Sequence, residues 1–461
     1  MRILFVTLPQ NQHSVRHINT LSSQGWDIHV FPAYDVDVSP YFRNITAYHI
    51  TDARPPDLHP SVRIVPYYRT HAHTDDGHPT QSIKSRIRLS VRNGIATFRQ
   101  RFNRRYRRNP KVRQIVAATK RLLGIRGANP VAVSSSVNAN PQISVNRADW
   151  LARVIHDIEP DLIHAQTIFT SGYLMVEARR IFLEKYPDKP FPKWIVGNWG
   201  LDIHFFQHAP SQIGRIKEVL ETADYYTCEC ERDVRLARDL GFKGVTLPVM
   251  PIGGGFDIER LKRMRQRGPI SRRRLIMIKG YQNLVGRSLT AFRALELCAD
   301  VLKGYRIAVY LLPNEYYPLM EVISHKTGVP IDIIPESPHD TILKLHGQAR
   351  ISIGLSVSDA ISTSMLEAII MGSFPIQSYT ACADEWIVDG QTGLLVDPED
   401  PNSVAQALRT ALLDDKLVDE AAEINLQTAE RRLDRRQLDQ QLIEMYRSLV
   451  SDSKPVTLYS H

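Results

Sequence analysis

The sequence predicts an α/β protein made of two Rossmann-like lobes, each a parallel sheet covered by helices. Three observations carry that prediction. A chain of 461 residues exceeds what one hydrophobic core usually serves. Short apolar runs alternate with helix-length amphipathic stretches, the pattern of strands joined by crossover helices. The alternation breaks at "PVMPIGGGFD" (248–257), where prolines and glycines end all periodicity. The predicted division is residues 1–250 for a first lobe, with a basic insertion at about 80–145, then 251–433 for a second lobe and 434–461 for a C-terminal helix crossing back.

In the first lobe, strands are expected at "RILFVTL" (2–8), "DIHVFPA" (27–33), "LIHAQT" (162–167), "WIVGNW" (194–199) and "YYTCE" (225–229). In the second they fall at "RLIMIKG" (274–280), "RIAVYLL" (306–312), "IDIIP" (331–335), "ISIGLS" (351–356) and "FPIQS" (374–378). Each is a short, β-branched-rich run of the kind buried on both faces of a parallel sheet. The stretch "DRRQLDQQLIEMYRSLV" (434–450) has the period of an amphipathic helix. The chain opens on a strand without a cationic leader, and no apolar run approaches the roughly 18–20 residues of a membrane span, so a cytoplasmic location is expected.

Composition excludes some classes and raises one question. The loop after the first strand, "PQNQHSVRH", holds no glycine, so the G-x-G-x-x-G that admits a dinucleotide pyrophosphate is absent, as is a Walker loop. The four cysteines form no zinc-type double pair, and Cys228 and Cys230 read as buried filling. The D-x-D in "YDVDV" (34–38) and the ligand-like "HAHTDDGH" (71–78) lie in loop-like text, and no metal is expected at either. Net charge is +9, yet residues 84–126 hold 15 Lys and Arg and no acid, leaving 43 basic against 49 acidic elsewhere. Such segregation suits an anionic partner, and the partly helical spacing of its apolar residues suits a basic amphipathic helix on a membrane surface. Its few aromatics form no repeated stacking arrangement, so nucleic acid is not the expected partner.

The segment "SDAISTSMLEAIIMGSFPIQS" (358–378) follows a strand and opens a helix at about Thr363, closed by Gly372. At the carboxyl edge of a parallel sheet, the free amides of such a helix start, with the hydroxyls of Ser362, Thr363 and Ser364, form a pocket for a diphosphate. Glu367, one turn further in, is placed to accept hydrogen bonds from a ribose diol. Asp359, before the helix, reaches hydroxyls beyond the second phosphate.

Asp359 and Glu367 resemble the D/E-x7-E signature of retaining glycosyltransferases of the GT-B fold, family 4. Around them, "ACADEWIVDGQTGLLVDPEDPNSVAQAL" (381–408), "ADYYTCECERDVRLARDLGF" with "PVMPIGGGFD", "PDLIHAQT" (160–167) and "NWGLDI" (198–203) are similar to further family stretches in the same order. The resemblance implies two sheets facing a central cleft, with donor in the second lobe and acceptor in the first. It implies two cations on the donor diphosphate, matched by Lys279 and Arg287 in the reverse of the usual order. On the acceptor side it points to His13, His164 and Asp202; Gln166 stands where the family often has a second histidine. The expected activity is transfer of a sugar from a nucleotide-diphosphate donor to a glycan or lipid-linked acceptor, with retention and without a bound metal or other cofactor. Surface polysaccharide or glycolipid synthesis, peripheral to the membrane through residues 84–126, is the expected setting. The rival readings are a nucleotide-sugar epimerase of the same fold and a non-catalytic protein binding anions or nucleic acid.

Overall fold

The computed structural model describes residues 1–52, 54–67 and 145–450. The basic segment 84–126, the "HAHTDDGH" stretch and the last residues beyond 450 lie outside the described residues.

Eight strands form the first sheet: β1 (Arg2–Thr7), β2 (Asp27–Pro32), β3 (Thr46–His49), β4 (Arg63–Pro66), β5 (Leu162–Ala165), β6 (Trp194–Gly197), β7 (Tyr225–Thr227) and β8 (Val245–Thr246). Their order is β4-β3-β2-β1-β5-β6-β7-β8, and every pairing is parallel. Six form the second sheet: β9 (Leu275–Lys279), β10 (Arg306–Tyr310), β11 (Ile331–Ile334), β12 (Ala349–Gly354), β13 (Phe374–Ser378) and β14 (Leu394–Val396). Their order is β11-β10-β9-β12-β13-β14, again all parallel. Ile3 to Val6 and Ile276 to Ile278 are buried, because crossover helices cover both faces of a parallel sheet.

β3, β4, β8 and β14 were not among the expected strands. All are four residues or fewer and sit at or next to a sheet edge, where their half-exposed side chains leave little apolar pattern.

The chain crosses between the sheets at 251–256 and returns at 433–435, and the two crossings pair with each other. Phe256 N donates to Leu433 O at 2.8 Å, and Arg435 N donates to Phe256 O at 3.0 Å. A Cβ on Gly255 would stand 2.5 Å from the Cα of Arg435, so the backbones can approach this closely only with glycine there. Beyond the return, the helix Arg435–Val450 places Leu438, Leu442, Met445 and Tyr446 in the same core as Ile3, Val15 and Ile18 of the first sheet's layer. Spacings of four, three and one residues put those four on a single helical face.

Candidate active site

Sheet order creates the crevices. Where strand order reverses in an open parallel sheet, the loops leaving adjacent carboxyl ends diverge and leave room for a ligand. The reversal lies between β1 and β5 in the first sheet and between β9 and β12 in the second. His13 follows β1 and His164 lies in β5, while Lys279 ends β9 and the Asp359–Glu367 segment follows β12. Burial pushes the His13 imidazole below its ordinary pKa, and Arg16, Asp359, Glu367 and Lys279 also act on it. One first-lobe side chain therefore shares an electrostatic neighbourhood with three second-lobe groups.

Glu367 is buried in the helix Thr363–Met371, at 4 % exposure. Its Oε1 lies 2.5 Å from His339 Nε2, and its Oε2 3.9 Å from His346 Nε2. The hydrogen bond to Glu367 raises the His339 pKa, whereas burial drives His346 down to about 4 and keeps it neutral. The helix begins at Ser362 without a side-chain cap. Met365 N donates to Ser362 O at 2.9 Å, which leaves the amides of Thr363 and Ser364 without a capping side chain.

Asp359 Oδ1 accepts from Ala360 N at 2.9 Å, and its carbonyl accepts from Arg232 at 2.9 Å. Arg232 belongs to the first-lobe helix Glu231–Asp239 and also reaches Thr380 O at 2.8 Å. Glu385 accepts from Glu231 N at 2.8 Å, so a second-lobe carboxylate faces the positive end of a first-lobe helix.

The two matched cations differ in their commitments. Lys279 Nζ lies 4.6 Å from the Tyr281 ring centroid and has no ion-pair partner among the described residues. Arg287 Nε lies 3.1 Å from Glu399, and its Nη1 donates to Gly286 O at 3.1 Å.

On the first-lobe side, Asn11 caps the helix Gln12–Ser22 by accepting from His13 N at 2.7 Å. The His13 ring is edge-on to Trp199 at 6.3 Å and packs on Gly253. His164 is buried, with Nδ1 2.5 Å from the Tyr446 hydroxyl. Asp202 is also buried, its carboxyl pushed up to about 7 by burial; it accepts from Ile168 N at 3.0 Å, which ties it to the loop after β5.

Sequence reasoning missed Arg16, Arg232 and His339. Arg16 had a usable signal, because His13, Arg16, His17 and Thr20 recur at helical spacing as a polar stripe. His339 and Arg232 had none, since only tertiary packing brings them to Glu367 and Asp359.

For metals, one set of donors stands close among the described residues. Cys230, Asp233 and Cys382 are buried with ligand atoms within 4.8 Å of one another, and the two sulfurs lie 2.9 Å apart. Asp233 is already held by Arg232 and Asn198, each at 2.8 Å. Asp37 of the D-x-D lies 3.4 Å from His49 Nε2.

Residues 315–427 match the family model of glycosyl transferases group 1. That span contains Asp359 and Glu367. No curated protein matches the whole sequence at a significant level. Among solved structures, sucrose-phosphate synthase from Thermosynechococcus elongatus superposes with a TM-score of 0.61 at 13% identity, covering 98% of this chain and 100% of that one. The Anabaena protein HepE, solved with UDP and glucose, gives a TM-score of 0.60 at 13% identity over 97% of this chain and 100% of its own. A glycosyltransferase from Rickettsia africae gives 0.53 at 13% identity over 98% and 99%. At such identity the likeness is one of fold, and the fold is GT-B.

Proposed function

We propose that the protein is a retaining glycosyltransferase that takes a sugar from a nucleoside-diphosphate donor in the second lobe and passes it to an acceptor hydroxyl at the first. The observation that carries this reading is Glu367: a carboxylate buried one turn inside an uncapped helix start, at the switch point of a parallel sheet, within the span matched to group 1 glycosyltransferases. HepE, of the same fold, was solved with UDP-glucose, which supports a nucleotide sugar as donor.

In this reading the first-turn amides and the hydroxyls of Ser362, Thr363 and Ser364 hold the diphosphate, and Glu367 accepts from the ribose hydroxyls. The bond between the anomeric carbon and the phosphate oxygen breaks as the acceptor oxygen arrives on the same face. The departing phosphate oxygen takes the acceptor's proton. Lys279 and Arg287 stabilise the charge that develops on the leaving group, the kind of preorganised contact that usually contributes most to catalysis. No metal is needed to neutralise the diphosphate. Lobe closure about Gly253–Gly255 would exclude water and limit hydrolysis.

We place the acceptor among glycans or lipid-linked glycans, with residues 84–126 docking on an anionic membrane surface. Incubation with UDP-, GDP- and ADP-sugars, with and without acceptor glycans, tests the activity. Nucleoside diphosphate release that depends on acceptor is expected. Conversion of the donor's sugar without any acceptor would instead identify an epimerase.

A further inference from the structure

A cavity of about 200 Å³ lies between the helix Gln12–Ser22, the carboxyl ends of β5 to β7, the crossing at 250–255 and the C-terminal helix. It is far larger than the roughly 30 Å³ share of one water. None of Lys279, Asp359 or Glu367 lines it, so it is separate from the donor cluster.

Its lining is short of partners. The half-buried Arg16 and the exposed Arg435 both line it, and neither guanidinium makes a hydrogen bond or ion pair among the described residues; the Phe256 ring centroid lies 6.0 Å from the Arg16 guanidinium. Burial, and then repulsion from Arg435, lowers the Arg16 pKa, with Glu367 and Asp439 acting against that shift. Asp439 is the one acid of the lining; burial raises its pKa, while its hydrogen bond with Thr20 and the charges of Arg435 and Arg16 act to lower it. His164 and Gln166, 2 % and 1 % exposed, line the cavity as well, and each keeps its Nε2 buried without a partner. Buried polar groups are almost always satisfied in folded proteins, and two unpartnered nitrogens beside the half-buried, unpaired Arg16 point to an acceptor-rich ligand.

We propose that this cavity is an oxyanion pocket that seats the phosphate of a phosphorylated acceptor, with Arg16, Arg435 and Gln166 as its donors. The acceptor role rests on the glycosyltransferase reading; the oxyanion site does not. Trp199 lines the cavity and packs edge-on to His13, whose imidazole feels the charges of Asp359, Glu367 and Lys279. A ligand anchored on the two arginines and lying along Trp199 therefore presents its other end beside the donor cluster. A soluble sugar monophosphate and a phosphorylated lipid headgroup offer the same chemistry to the pocket.

Calorimetric titration of the full chain with inorganic phosphate and with glucose 6-phosphate tests the site, using Arg435→Gln, Arg16→Gln and Lys279→Ala, each checked for an unchanged melting curve. Saturable binding is expected, weakened about tenfold or more in either arginine variant and retained in Lys279→Ala. No saturation by either probe in the wild type would overturn the proposal. So would binding lost in Lys279→Ala but kept in Arg435→Gln, since the anion would then occupy the donor site. Titration with nucleoside diphosphates in the same samples separates the two claims: phosphate binding without nucleotide binding would refute the glycosyltransferase reading and leave the pocket standing. Sedimentation with phosphatidylinositol vesicles, competed by phosphate or by glucose 6-phosphate, assigns the source, and competition by phosphate is required of either.

Discussion

His339 occupies one acceptor position of Glu367 Oε1 at 2.5 Å, so a ribose hydroxyl must share that oxygen or turn to Oε2. His339 therefore competes with the donor for part of the acceptor capacity of Glu367. Its pKa is raised by the hydrogen bond to Glu367, so the pair stabilises the fold fully below the unfolded value of about 6.5 and loses that contribution as pH rises through the higher folded value. The same loss of charge weakens the hold on Glu367, since a neutral imidazole donates a weaker hydrogen bond to a carboxylate. Donor affinity is thus expected to increase as pH rises above about 6.5, and His339→Gln should bind donor more tightly with a flatter pH profile. Calorimetry across that range checks this; an affinity that falls with pH would refute the competition. Lys279→Ala and Arg287→Ala should each lower single-turnover transfer by roughly 10²–10³-fold with little change in melting temperature, as removal of preorganised donors to a developing charge does. Transfer at the wild-type rate in either variant would remove that cation from the diphosphate. The residue types around the second-lobe strand–loop–helix unit were legible because hydroxyls and carboxylates at a helix start have few other uses. His339 was not, because it arrives from a helix 28 residues away in sequence.

At the scale of elements, the double crossing decides how the two sheets are joined. The glycines of "GGGF" were visible in the sequence as a break in periodicity. Their reason, the returning chain at 433–435, was not, since a close backbone approach leaves no periodic trace on its partner. Gly255→Ala pushes a methyl to 2.5 Å from the Arg435 Cα, against backbone that cannot rotate away. Overpacking of that kind costs typically 1–3 kcal/mol, so its denaturation midpoint should drop by about that equivalent. Gly254→Ala is strained in a different way, through its φ of +71°, and meets no atom closer than 4.0 Å. The long strands were legible for the reason that the short edge strands were not: burial on both faces writes a continuous apolar run, and β8, two residues long, has no room for one.

For the whole molecule, the sequence-level charge separation and the two-sheet architecture make separate claims. If residues 84–126 dock on a membrane, each Lys or Arg near an anionic leaflet contributes on the order of 1 kcal/mol, and that attraction decays over about 8 Å at physiological salt. Co-sedimentation should therefore show binding to anionic vesicles that high salt abolishes; equal binding to anionic and neutral vesicles, or none to either, would leave a soluble acceptor as the better reading. GT-B architecture was legible because two parallel sheets and a hinge each leave a pattern, whereas the oxyanion cavity was not, since it is assembled from one helix, three strand ends, a crossing and the returning C-terminal helix. The central claim is that Glu367 holds the ribose of a nucleotide sugar. Calorimetric titration of the wild-type protein and Glu367→Ala with UDP, GDP, ADP and their sugars tests it most directly. One nucleotide should saturate the wild type and bind at least about tenfold more weakly to a folded Glu367→Ala, as loss of a hydrogen bond to a charged group implies; equal affinity in the two proteins, or no nucleotide bound by the wild type, would contradict it.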